Sequence, residues 1–342
     1  ATGNQKGTGI GLLFSRILIT LVLIGVLCGC FCGIAFALYV HIYINPSAQE
    51  TAVEISKGLG LNLNSFIYAK ESDSDEYKLY ETIKGKENRE WVDSDKIPDT
   101  LKNAVVAIED ERFYKHHGVD WVRTIGAVKG WLLGGTQYGG STITQQLIKN
   151  ITADNDYSVK RKVNEIFRAF ALEKEIDDKD RILVMYLNTI YLGYNSYGVQ
   201  TAAMQYFDKD VSQLDLAESA VLAGLTNNPS IYDVYNHPEK VKKRQETILA
   251  QMLDQKMISQ EEYEAAVAEE LNYRPYEEYQ QEIKSTYSYF TDEVIKDVIN
   301  DLMTEKGYSR LVAENMVCSG GLNIYATIDT KVQNALDEVW AN

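Results

Sequence analysis

A mainly α-helical domain behind one N-terminal membrane-spanning helix is the fold class that this 342-residue sequence predicts. Three observations lead there. From Ile17 to Val40 (ILITLVLIGVLCGCFCGIAFALYV) the chain runs for 24 residues without a charge. Between about residues 95 and 275 apolar residues return every three or four positions with few prolines, which is the period of amphipathic helices. The composition, 45% hydrophobic and 24% charged, is ordinary for a globular protein with a sizeable core.

As a helix rising about 1.5 Å per residue, the apolar run spans roughly 36 Å, enough for a bilayer core of about 30 Å. Lys6 and Arg16 precede it, and the first acid is Glu50. A short basic flank stays inside. The expectation is therefore a cytoplasmic tail (1–16), a single transmembrane helix (17–40) and an extracytoplasmic remainder at the plasma membrane. The net charge of −15 argues against nucleic acid and against general adhesion to anionic lipid. A cleaved signal peptide is the rival reading, but the run is longer than a usual apolar core and no small-x-small site ends it. Leu27-Cys28-Gly29-Cys30 resembles a lipoprotein cleavage box with an atypical Cys in second place. Cys318 stands alone outside the apolar run, so no disulfide framework is expected.

After the anchor, Asn45-Pro46-Ser47 is expected to break the helix and open a juxtamembrane segment (41–94). It mixes polar and β-prone stretches, with a solvated turn around Asp73. Helices follow over 98–111, 119–131, 142–150, 159–176, 179–191, 197–207, 214–225, 238–256 and 259–269. The helical domain is bounded at 95–275. A linker (276–342) carries further helix, then a strand in GGLNIYA, a turn at Asp329 and the start of another helix.

Four stretches can carry chemistry. AVVAIEDERFYKHHGVD sets Glu109, Asp110 and Glu111 at the C-terminal end of a helix, where the backbone dipole disfavours acids. Burial and dipole would raise the pKa of Glu109, as an acid/base at neutral pH requires, unless all three are merely solvated. GGTQYGGSTITQQLIKN leads paired glycines into Ser141 and Thr142 at a helix start, which suits either an anion or a plain flexible loop. SVKRKVNEIFRAFALEKEI concentrates Lys160, Arg161 and Lys162 in an acidic chain; this is either salt-bridge lacing with Glu165 or a pyrophosphate patch. KDRILVMYLNTIYLG reads as a core helix with Asn188 and Tyr191 as polar contacts. Asp154-Asn155-Asp156 imitates a metal motif but reads as a turn, and the four histidines form no zinc spacing.

In their order, EDERFYKHHG, GGSTITQQLIKN, RKVNEI, ILVMYLNTIYLG and LAGLTNNPSIY closely resemble the glycosyltransferase domain (family 51) of class A, bifunctional penicillin-binding proteins. The basic helix with Arg244 fits as well, and the last residues resemble the lead into a transpeptidase domain. No Ser-x-x-Lys or Lys-Thr-Gly motif occurs, so that domain is expected to be absent through truncation. Asp208 stands where the family often has glycine.

The resemblance implies a lysozyme-like, two-lobed domain that polymerises lipid II into β-1,4 glycan with inversion, releasing polyprenyl pyrophosphate. It implies Glu109 as the base on the acceptor hydroxyl, and Glu165 as a second essential acid. Lys149, Arg161 and Lys162 would stabilise the pyrophosphate, while Ser141, Thr142, Gln146 and Asn150 would line the donor side. Phe113 and His116 read as structural. No cofactor is required by the sequence, although a divalent cation (Mg or Mn) can ride on the pyrophosphate. Implied partners are lipid II, the growing glycan strand, the bilayer, and cell-wall synthesis and division proteins. Trp131, Leu132 and Leu133 are expected to dip into lipid. A glycan hydrolase or lytic transglycosylase, and a non-catalytic envelope scaffold, are the alternatives.

Overall fold

The computed structural model describes residues 7–58, 65–70, 76–83, 91–132, 139–152, 158–194, 196–282 and 287–329, with 331–333, 335 and 339 beyond them. The side chains of Trp131, Leu132 and Leu133 lie outside the described set, as do residues 71–75, 133–138 and 153–157.

Helix α1 (Gly7–Tyr39) is bare of protein along its apolar length and is long and apolar enough to cross a membrane. It does not stop at Pro46. One π turn, Val40–Ile44, carries it into α2 (Asn45–Gly58), and Asn45 donates its N–H to the Val40 carbonyl five residues back. In an α-turn the proline ring would strike the carbonyl of the preceding turn; a local switch to the wider π turn offers relief. The expected break is thus a register change within a continuous helix. Ala48, Ala52 and Ile55 of α2 are buried, and α2 packs along α6 (Val159–Ile176).

The main core is built by α3 (Asp99–Glu109), α5 (Ile143–Thr152), α7 (Lys179–Thr189), α8 (Val199–Phe207), α9 (Leu216–Leu225) and α10 (Pro238–Asp254). α9 is apolar around nearly its whole circumference and buried from Ala217 to Leu225, as a central helix must be. It starts on a reciprocal cap between Asp215 and Glu218. The helices expected at 159–176 and 179–191 are separated by two residues. Asp177 ends α6 in the left-handed region (φ 47°), and Asp178 caps α7 through the Arg181 N–H. α4 (Trp121–Leu132) and α11 (Gln260–Ala268) complete this part, and α12 (Tyr276–Glu282) follows. Asp208, in the family's glycine position, adopts the same left-handed backbone (φ 54°) and pairs with Arg274 at 2.9 Å.

The flanking segments, read from sequence as separate juxtamembrane and linker pieces, meet. β1 (Ser65–Lys70) pairs antiparallel with β2 (Tyr77–Ile83) and parallel with β3 (Asn323–Ala326), giving the order β2-β1-β3. Ile67, Ile83, Ile324 and Ala326 cover α13 (Tyr289–Glu305) and α14 (Arg310–Ser319) in a second core.

Candidate active site

The three consecutive acids have three different fates. Glu111 is exposed. Asp110 is fully buried: its carboxylate accepts the Ile143 N–H at 3.1 Å and lies 2.9 Å from His116 Nε2. Asp110 therefore occupies the N-terminus of α5, where the sequence left room for a bound anion. The anion there is the protein's own carboxylate. Glu109 closes α3 at 8% exposure. Its Oε2 accepts from Gln146 Nε2 at 2.7 Å and its Oε1 from Thr226 Oγ1 at 2.8 Å. Tyr186 donates its hydroxyl to Gln146 Oε1 at 3.0 Å. Burial pushes the Tyr186 phenol well above its ordinary pKa, and the Glu109 charge adds to this, so it remains a donor. Arg123 donates to the Glu109 carbonyl, setting a cation against the negative end of α3.

Glu165, also buried, accepts from Arg161 at 2.8 Å and from Lys162, one turn earlier on α6. Lys162 reaches Ser141 Oγ at 2.9 Å, tying α6 to the segment ahead of α5. Ser158 starts α6 by accepting the Arg161 N–H. The salt-bridge reading of this helix is thus correct in geometry, yet the pairing is turned inward.

Glu109, Ser141, Gln146, Lys149, Asn150, Arg161 and Glu165 line one cleft of about 970 Å³. Lys162 stands behind Ser141 and Glu165. Thr142 is not brought to the cleft: it is fully buried as the N-cap of α5, exchanging bonds with Gln145 and donating Oγ1 to the Gly118 carbonyl at 2.6 Å. Phe113 is buried, and His116 holds Asp110, as structural residues do. Asn188 clamps the Val92 backbone through both its amide groups.

Sequence reasoning missed Thr226, Tyr186, Arg112 and Arg123. Thr226 lies in LAGLTNNPSIY, where nothing in the residue pattern marks it, and Tyr186 is hidden within an apolar run. Among the described residues, the cleft wall carries five basic side chains (Arg112, Arg123, Lys149, Arg161 and Arg244) against three acids (Glu109, Glu111 and Glu165), although the chain as a whole is acidic. Arg161 and Arg244 each keep a buried Nε–H without a hydrogen-bond partner among the described residues. No group of three or more His, Cys, Asp or Glu able to hold a metal occurs among those residues.

Fold and cleft together define a helical domain, borne on a membrane-length helix, that sets a buried carboxylate among cations. The model of the transglycosylase family matches residues 76–253, just over half of the chain, and the chain belongs to that family. It is 39% identical over 290 residues to penicillin-binding protein 1A of Clostridium perfringens, covering 82% of this chain and 42% of that protein. Penicillin-binding protein 1A of Clostridium tetani is 36% identical over 304 residues (84% and 38%). That of Neisseria lactamica is 40% identical over 257 residues (75% and 30%). The chain thus spans less than half the length of these relatives. The mainly helical architecture fits the lysozyme-like fold expected of the family.

Proposed function

We propose that this chain is a peptidoglycan glycosyltransferase that polymerises lipid II at the outer face of the plasma membrane, its N-terminus remaining in the cytoplasm. The observation that carries the reading is Glu109, buried and doubly hydrogen-bonded in a cleft of net positive lining. A hydrolase acting on uncharged glycan has no use for such cations; a pyrophosphate leaving group does.

In this mechanism Glu109 takes the proton of the acceptor 4-hydroxyl as that oxygen attacks the donor's anomeric carbon. The bond to pyrophosphate breaks on the opposite side, so an α-linked donor yields a β-1,4 linkage with inversion. Lys149 and Arg161 hold the pyrophosphate as its charge develops, and Arg244 extends the same wall. Glu165 fixes Arg161 and Lys162 in place instead of acting as a nucleophile, because both its oxygens are engaged by those cations. Ser141, Gln146 and Asn150 border the donor side. A divalent cation would enter on the pyrophosphate and supply further charge neutralisation there; polymerisation in EDTA tests for it. Cell-wall synthesis and division proteins are the partners that this reading implies.

The test is polymerisation of labelled lipid II by the chain in detergent, beside Glu109→Gln. Polymer from the parent and none from the folded variant supports the reading. Cleavage of preformed glycan without polymer would replace it with a hydrolase, and inactivity on both substrates would favour a scaffold.

A further inference from the structure

We propose that the acceptor's proton is received on Oε1 of Glu109, and that Thr226 and, through Gln146, Tyr186 are the positioning residues that direct it there. The proposal rests on the reading of Glu109 as the base. Its starting point is the difference between the two carboxylate oxygens.

Oε2 faces Gln146 Nε2 at 2.7 Å. An amide nitrogen can only donate, so Oε2 is an acceptor whether or not the carboxyl is protonated. The amide is kept from turning over by Tyr186, whose hydroxyl donates to Gln146 Oε1 at 3.0 Å and has no other hydrogen-bond partner among the described residues. Tyr186 is fully buried and keeps its proton, so this pin holds throughout the working pH range.

Oε1 faces a different kind of group. Thr226 Oγ1 lies 2.8 Å from Glu109 Oε1 and 2.8 Å from the carbonyl of Ala223. A hydroxyl has one proton to give and can also accept. The Ala223 carbonyl is one of the last four of α9, which have no intrahelical donor. While Glu109 is ionised, Thr226 has two acceptors and one proton, so one contact goes unfilled. With a proton on Oε1, that oxygen donates to Thr226, and Thr226 donates to Ala223. Both contacts are then satisfied.

The hydrogen-bond set is therefore complete only after proton transfer, and only when the proton sits on Oε1. Groups that bind the end of the step better than its start lower the barrier between them. In the balanced step, the acceptor O–H bond breaks and its proton passes to Oε1, whose new O–H then turns from the acceptor oxygen to Thr226 while Thr226 donates its own O–H to the Ala223 carbonyl. The acceptor oxygen bonds to the anomeric carbon, and the anomeric C–O bond breaks with its electron pair leaving on pyrophosphate. Oε2 stays fixed by Gln146, so the carboxyl does not rotate as it gains the proton.

The experiment measures kcat and KM for labelled lipid II with the full chain in detergent. The variants are Thr226→Val, Thr226→Ser, Tyr186→Phe, Gln146→Met and the Tyr186→Phe/Gln146→Met double. A hydrogen bond to a charged group corresponds to about tenfold or more in rate, so Thr226→Val should lose about tenfold in kcat with KM little changed. Thr226→Ser, which keeps the hydroxyl, should recover most of that loss. Tyr186→Phe should lower kcat on its own and add nothing in the Gln146→Met background, because it acts through that amide. Parental kcat in Thr226→Val, equal losses in the Val and Ser variants, or multiplying losses in the double variant would each overturn the proposal. If the parent makes no polymer, or Glu109→Gln polymerises like the parent, the base itself is wrong and this inference falls with it. Inactive Glu109→Gln beside unaffected Thr226 and Tyr186 variants sinks the inference alone.

Discussion

Replacing Asp120 separates a helix cap from an ion pair at the same carboxylate. Asp120 is 4% exposed. It accepts the Arg123 N–H at 3.0 Å as the N-cap of α4, and both its oxygens meet the Arg112 guanidinium at 2.9 Å. Asparagine keeps an oxygen for the cap and loses the charge; alanine loses both. A cap contributes about 1 kcal/mol. A charge-assisted pair contributes about 2 kcal/mol. Asp120→Asn should therefore cost about 2 kcal/mol at pH 7 and Asp120→Ala about 3 kcal/mol, on those two figures. Burial alone would raise this carboxyl, but the Arg123 amide and the Arg112 fork outweigh it and hold the group below its ordinary value of 3.8. A depressed carboxylate stabilises the fold above its unfolded pKa, and that stability is lost as pH falls through the folded one. The gap between parent and Asp120→Asn should thus be full at pH 7 and close only below 3.8. Urea unfolding followed by tryptophan fluorescence reads it, since Trp121 is the next residue and its ring lies 6.2 Å from that of Phe170. Equal losses for Asn and Ala, or an Asn penalty that persists unchanged well below the folded pKa, would refute the partition.

Asn188→Leu should destabilise by about 3 kcal/mol in the same assay, because the Val92 N–H and carbonyl lose their buried partner. Gly118 has φ 80°, and an added methyl would come within 2.9 Å of the Ala169 backbone, so Gly118→Ala should cost more than about 2 kcal/mol and lower the thermal midpoint. Ile55→Ala, which empties a fully buried position on α2, should cost about 2–4 kcal/mol by urea titration. Lys149→Ala should reduce lipid II polymerisation by about 10-fold or more while leaving the unfolding curve unchanged, because this ammonium is exposed on the cleft wall.

The helices were legible because their determinants are local. α6 was bounded correctly at Val159 and Ile176, since a serine cap and a left-handed Asp177 fall beside a clear apolar stripe. The sheet was not legible: β1 and β3 are parallel neighbours separated by more than 250 positions, and nothing local in either strand names the other. The cleft divides along the same line. Glu109 was visible from its odd place at a helix end, and the cations from their density. Thr142 looked like a ligand contact because capping and anion binding use the same residue types in the same place. Thr226 was invisible as a partner of Glu109, since only the packing of α3 on α9 brings position 226 to position 109.

That packing also bears on how the anchor and the cleft are joined. α6 carries Arg161, Lys162 and Glu165 on one side and receives α2 along its length, with Ala48, Ala52 and Ile55 buried from the α2 side. Gln49 reaches Glu175 near the end of α6, and Arg181 of the following helix, α7, reaches the Ser56 carbonyl near the end of α2. α2 is itself the continuation of α1 through a single π turn. A flexible tether would leave the cleft free to sample many heights above a bilayer. A continuous helix packed on the cation-bearing helix restricts that height, because small side chains on α2 allow close approach and leave little room to slide. On the proposed reading, in which the substrate's lipid tail stays in the bilayer, holding the cation-lined wall near the surface would reduce the orientational freedom that must otherwise be lost on binding. On that reading the membrane-length helix would belong to the geometry of the site as well as to its attachment.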